Sequence, residues 1–178
     1  MGKGDMQRSR GFSLLELVII MGIVAILTSI AVFSWSRYTA NNNLKAATAE
    51  MQADFLLMRK KAMSDSGIGG SVYTITFDID HNNYTMSVTT MDTAGNVTVN
   101  TIGPKTPASF APDIKIKEIS LFSPSVGTIT SGAATINCER RGTIDPVSGH
   151  IQLGNGLSSA SNITFNVTGR TYVKHYFR

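Results

Sequence analysis

The 178-residue chain has one cysteine, Cys138, and no proline before Pro104. A lone cysteine excludes an intramolecular disulfide, a Cys-x-x-Cys redox pair and a Cys/His metal cluster, so Cys138 is expected as a small buried apolar side chain. Catalytic constellations are equally scarce. No Ser-His-Asp or Cys-His arrangement, phosphate-cradling glycine loop or pair of spaced carboxylates stands out, and no enzyme, metal or cofactor is expected. His81, His150 and His175 lack metal-ligand spacing and are expected on loops or strand surfaces. Polar residues are missing too: none lies between Leu17 and Leu27, and from Phe12 to Phe33 the only formal charge is Glu16.

That apolar stretch decides the organisation. Its 22 residues would make a helix of about 33 Å at ~1.5 Å per residue, enough for a hydrocarbon core of ~30 Å. Lys3, Arg8 and Arg10 precede it, and flanking positive charge keeps the short N-terminus cytoplasmic and exports the remainder. The run is longer than a secretory h-region and lacks an evident small-x-small cleavage site, so it is expected to be retained. Glu16 then becomes the anomaly. A carboxylate inside a membrane helix costs about 2.5–3.5 kcal/mol on insertion scales unless it is paired or protonated. Arg10 and Arg37 are too distant along the same helix, so the charge is best satisfied by a neighbouring subunit.

The segment Gly11-Phe12-Ser13-Leu14-Leu15-Glu16 resembles the class III leader of type IV pilins and type II secretion pseudopilins. In that family a basic leader ends in Gly, Phe opens the mature chain, and Glu stands at its fifth position. The resemblance implies cleavage after Gly11 by a prepilin peptidase, which also methylates the new Phe12 amine, and a role for Glu16 in subunit register and assembly. It further implies an inner-membrane subunit that enters a pilus or a periplasmic pseudopilus beside other pilin-type subunits. Removing residues 1–11 takes the formal charge from +4 to +2. Many major pilins carry a C-terminal disulfide loop, which one cysteine cannot form, and this points to a minor pilin or pseudopilin.

The expected divisions are a leader over 1–11, a transmembrane helix over 12–35, its amphipathic continuation over 36–65 and an exported β-rich domain over 66–178. Leu44, Ala47, Met51, Phe55, Met58 and Ala62 recur at spacings of three and four, one face of a helix, and are expected in the core rather than along a ligand groove. Asn41-Asn42-Asn43 is a soft spot of poor helix formers. Ser66-Gly67 and Gly69-Gly70 should end the helix. From Phe12 to Asp65 it would be about 80 Å long.

Period two follows. Tyr73, Ile75, Phe77 and Ile79, then Tyr84, Met86 and Val88, predict a hairpin, and Asp92–Asn96 predicts a second turn into Val97-Thr98-Val99. Pro104 and Pro107 are expected to mark a loop. Ile114, Ile116 and Leu121-Phe122 suggest a strand with Lys115 and Lys117 outward. Further strands are expected at Thr135–Cys138, His150–Leu153, Ile163–Val167 and Thr171–Lys174. The fold class is therefore α+β, a long N-terminal helix packed on an antiparallel β-rich domain, the pilin-like layout.

Two short motifs resemble the GspH/FimT-type minor subunits: Phe122-Ser123-Pro124 with Gly127, like their F-x-P-x-G turn stretched by one residue, and Thr168-Gly169-Arg170, like the Gly-Arg that opens their last strand. Some of those subunits carry a Gly-Arg-x-Arg element resembling a DNA-contacting patch, and here Tyr172 stands where the second Arg would be. Strand alternation places Arg170, Tyr172, Lys174, Tyr176 and Arg178 on one face. Interleaved cations and aromatics suit phosphate contact and base stacking, so DNA is the alternative partner beside a solvated edge strand. Three other patterns take plain readings. Asp78-x-Asp80-x-Asn82 opens like a calcium loop, but Asn83 replaces its Gly and Thr89 its bidentate Glu, and a hairpin turn is expected. Arg59-Lys60-Lys61 reads as a solvated helix face. The sequons beginning at Asn83, Asn96, Asn162 and Asn166 follow from abundant Asn and Thr.

Overall fold

The structure, a computed structural model, describes residues 13–65, 71–122 and 127–177. The expected helix end at Ser66–Gly70, the Ser123-Pro124 part of the turn motif, and Gly11, Phe12 and Arg178 lie outside the described residues.

One α-helix, α1, runs Leu14–Ser64. Without proline, and with Gly22 as its one glycine, it carries no interior breaker. The Asn41-Asn42-Asn43 soft spot does not interrupt it, and Lys61 in the last turn complements the negative end of the dipole. The chain divides into two compact units between Tyr38 and Thr39. In the first, every side chain from Ser13 to Tyr38 is exposed. In the second, the predicted stripe Leu44, Ala47, Met51, Phe55, Met58 and Ala62 is buried in full, together with Thr48 and Asp54.

Two five-stranded antiparallel sheets complete the second unit. Sheet A contains β1 (Val72–Asp78), β2 (Asn83–Met91), β3 (Val97–Lys105), β6 (Ala133–Cys138) and β7 (Ile144–Asp145), in the order β3-β2-β1-β6-β7. Sheet B contains β4 (Lys115–Phe122), β5 (Thr128–Ile129), β8 (Ser148–Gly154), β9 (Ala160–Asn166) and β10 (Thr171–Tyr176), in the order β10-β9-β8-β4-β5. The chain visits A, then B, then A again, then B. β1 therefore waits for β6, with Tyr73 opposite Cys138 and Phe77 opposite Ala134.

Both predicted hairpins form. Asp78 faces Asn83 across the first, whose turn places Asn82 at φ 51°, a left-handed conformation that Asn tolerates. Asp92 ties the second by accepting from the Ala94 and Asn96 amides at 2.9 and 2.8 Å, which holds its carboxyl below the usual range, the Asn96 side chain being the largest cause. Inward residues of both sheets, among them Ile75, Phe77, Ile136, Ile151, Ile163 and Phe165, join the helical stripe in one core. Phe55 and Phe165 sit 5.4 Å apart by ring centroid. A side chain of that size contributes about 1.5–3 kcal/mol on full burial.

Two strand expectations, at Pro104 and Val167, need correction. Pro104 lies within strand β3, one residue before its end, rather than opening a loop: β3 is an edge strand, where a missing N–H can point away from the ladder. Only Pro107 leaves the sheet, in the short 3-10 turn Pro107–Ser109. A register shift between Ile116 and Glu118 returns Ile119 and Leu121 to the core, and Lys115 and Lys117 do point outward. Val167 falls beyond β9 and is exposed. β5 and β7, two residues each, carried no alternation to read.

Cys138 is buried as expected, and desolvation pushes its thiol up to about 11. The helix also carries two polar fasteners. Asp54 Oδ2 accepts from the Tyr84 hydroxyl and from Lys105 Nζ, each at 2.7 Å, and Lys105 also reaches Glu50 at 3.1 Å. Burial, then the Asp54 carboxylate, raises the Tyr84 phenol well above its ordinary value. Arg59, expected on a solvated face, instead donates from Nε to the Gly142 carbonyl at 3.0 Å and from Nη2 to the Thr168 carbonyl at 2.8 Å. Gly169 is required there: φ is +71°, and a Cβ would lie 2.0 Å from Arg59 Nε.

Asp54→Ala is predicted to cost about 1–3 kcal/mol, because the buried Tyr84 hydroxyl loses its acceptor and Lys105 its shorter ion pair. Tyr84→Phe, which leaves Asp54 bonded to Lys105, should cost less. Urea unfolding of the detergent-solubilised chain compares the two, and equal midpoints for Asp54→Ala and wild type would rule the fastener out.

Candidate functional site

Two regions hold the candidate residues. The first is the start of α1. Glu16 lies in its first turn, where the helix dipole favours an acid. Around it Leu14, Leu15, Leu17, Val18, Ile19 and Ile20 are all exposed large hydrophobics. No ion pair to Glu16 occurs among the described residues, whose ion pairs all lie in the second unit. The polar side chain Thr28 is internally satisfied, its hydroxyl donating to the Val24 carbonyl at 2.7 Å. Trp35 and Tyr38, 6.3 Å apart by ring centroid, close the run with Arg37 between them, the aromatic and cationic signature of a membrane–water boundary. The helix is long and apolar enough to cross a membrane. An exposed apolar surface of this extent requires lipid or other helices as its solvent.

The second region is β10, the edge of sheet B. Its alternation holds through Tyr176. On the inner side Thr171 accepts from Gln52 Nε2 at 3.0 Å, Val173 packs on the core, and the His175 ring is hydrogen-bonded to the Ser161 hydroxyl. Burial, then the Lys45 charge, lowers the His175 pKa. Beyond the strand, Lys45 Nζ sits 5.0 Å over the Phe177 ring.

The outer side presents Tyr172, Lys174 and Tyr176, with Tyr172 59% and Tyr176 45% exposed. Lys174 Nζ lies 5.1 Å over the Tyr176 ring. Opposite on β9 stand Thr164 and Asn162, whose Oδ1 accepts from Gln152 Nε2 at 3.1 Å. Arg170 is exposed just before the strand. The structure thus brings Tyr172, Lys174 and Tyr176 onto one open face, with Arg170 exposed at its start.

The calcium-like spacing resolves as a turn. Asp78 is bonded to the His81 ring, Asp80 accepts from the Gly132 amide, and Asn82 bridges Ile114 and Ile116. His81 lies on the turn, and His150 on a strand within 3.4 Å of Glu118. Sequence reasoning did not mark Asp54 or Arg59 as fasteners, although a carboxylate inside the apolar stripe signals a buried partner.

No curated protein and no solved structure matches the chain. Residues 6–32 match the family model of the prokaryotic N-terminal methylation motif. That span holds the Gly11-Phe12 junction, Glu16 and most of the exposed apolar run. The chain therefore carries a type IV pilin-like prepilin signal, which implies processing by a prepilin peptidase and assembly with other pilin-type subunits.

Proposed function

We propose that the chain is a minor pilin or pseudopilin of the GspH/FimT type, a structural subunit that primes or enters a type IV pilus or a type II secretion pseudopilus. The prepilin signal at the head of an apolar run exposed from Ser13 to Tyr38 carries this reading. The work is done by assembly, with no catalysis. The peptidase cuts after Gly11 and methylates the Phe12 amine, leaving a positive group at the head of the helix. Glu16 lies too close along the same helix to receive that amine comfortably, and the amine of an adjacent subunit can reach it. The pair neutralises both charges inside lipid, so a subunit becomes electrically complete only beside another. In this reading the β-rich domain is exported, and the resemblance of the Phe122 turn and of Gly169-Arg170 to GspH/FimT-type motifs supports the subtype.

A second reading is DNA capture, favoured by the open Tyr172, Lys174 and Tyr176 face with Arg170 at its start. The electrostatic share would be small. With Arg170, Lys174 and Arg178 as its cations, a slope of ~0.9 per neutralised phosphate gives roughly a 40-fold loss of affinity between 50 and 200 mM salt.

Three outcomes are expected. Intact mass of protein from cells with a prepilin peptidase should begin at a methylated Phe12, and Gly11→Val should leave the leader in place; a mature chain starting at Met1 would sink the assignment. Glu16→Leu should insert as well as wild type yet enter filaments at least about tenfold less often, the scale of one lost charge pair. Glu16→Gln, keeping shape and a hydrogen-bonding group, should fall between them. In fluorescence titration of the detergent-solubilised chain, Arg170→Ala/Lys174→Ala should weaken DNA binding and flatten its salt dependence. Equal binding by that double variant removes the DNA reading.

A further inference from the structure

Sheet edges expose unpaired backbone donors and acceptors, and folded proteins shield them with short strands, charges or coverings. Three of the four edges here follow that pattern. β5 and β7 are two residues long, and β10 carries Lys174 with Arg170 beside it. β3 differs. It runs nine residues, every position from Val97 to Pro104 is exposed, and none of those eight is charged. Val97 and Val99 are 56% and 57% exposed. They lie on one face of the β2–β3 hairpin with Met91, which stands opposite Val97 and is 51% exposed.

The hairpin is held firmly at its base. Tyr84 and Lys105 face each other in the register and converge on Asp54 of α1. Gly103 fits a tight crossing there, at φ +114°, with the Tyr84 carbonyl 3.2 Å from where a Cβ would stand. The strand pair beyond this clamp is therefore presented in a fixed direction with its outer edge bare.

We propose that the β3 edge pairs antiparallel with β3 of a second copy, joining two five-stranded sheets into one of ten strands. Antiparallel pairing about a two-fold axis sets the strand against itself. A charged strand would then oppose like charges, which is destabilising. β3 meets no such penalty in any register from Val97 to Pro104, and Val and Thr pair well across strands. A basic strand such as β10 would find no opposite charge on it. The two-fold also consumes both edges, so the association stops at two. A strand-to-strand contact is small, and anchorage of both copies in one membrane supplies the high effective concentration it needs. The inference rests on that anchorage and not on filament entry, so failure of leader processing or of Glu16-dependent assembly leaves it standing.

The test uses the full-length chain in liposomes with single cysteines placed along β3 at Thr98, Asn100 or Thr101, and at Thr76 on the central strand β1 as control. Cys138 can stay, because burial keeps its thiol protonated and away from the oxidant. Copper-phenanthroline oxidation should give disulfide-linked dimers at one or two β3 positions and none at Thr76, since bridging needs Cα atoms within about 7 Å. Adding Val99→Lys to the best-linking variant should cut the dimer yield about tenfold, with the urea midpoint unchanged because Val99 is exposed. Linking at Thr76 as strong as on β3, no linking on β3, or a yield unaltered by Val99→Lys overturns the proposal.

Discussion

The second unit of this protein is built on a stripe of helix. Leu44, Ala47, Met51, Phe55, Met58 and Ala62 present one apolar face, and both sheets contribute inward residues to the same core. The chain crosses between the sheets three times, so contiguous sequence completes neither of them. Burial of the stripe gives two separately incomplete sheets a common reason to close. The first half of the same helix has no such partner among the described residues, and its apolar surface is left open.

Charge is placed sparingly along this helix. Glu16 is exposed among hydrophobics and unmatched by any described ion pair, while Asp54 is buried and matched twice. Desolvation penalises both carboxylates in the same way. The fold answers it for Asp54 with Tyr84 and Lys105, and no described ion pair answers it for Glu16. A chain closed in its second unit and apolar and exposed in its first is suited to assembly.

Most of the architecture was legible because its periods are clean. About five turns of apolar residues at three-and-four spacing read as one helix face, and Tyr73–Ile79 with Tyr84–Val88 read as a hairpin. The failures share a cause, namely that the deciding contact lies far away in sequence. Pro104 reads locally as a loop, and only the position of β3 at a sheet edge makes it tolerable. The shift after Ile116 reverses the alternation in mid-strand, so Ile119 had no place in the expected pattern. Arg59 looks solvated beside Lys60 and Lys61 until the glycine turns 83 and 109 residues away supply its acceptors. At the candidate sites, Glu16 and the exposed face of β10 could be read directly, because one is an anomaly of composition and the other a simple alternation. The open β3 edge could not, since exposure of a strand edge is a property of topology.

The Arg59 clasp has a mechanical consequence. Its Gly142 acceptor lies in the turn between β6 and β7, and its Thr168 acceptor in the turn between β9 and β10, so one guanidinium grips both sheets. A pull along α1 is thus delivered to the two sheets together, loading hydrogen bonds in parallel rather than peeling one sheet from its edge. Bonds that share a load yield at a higher force than the same bonds broken in turn, and such an attachment suits a domain towed by its helix.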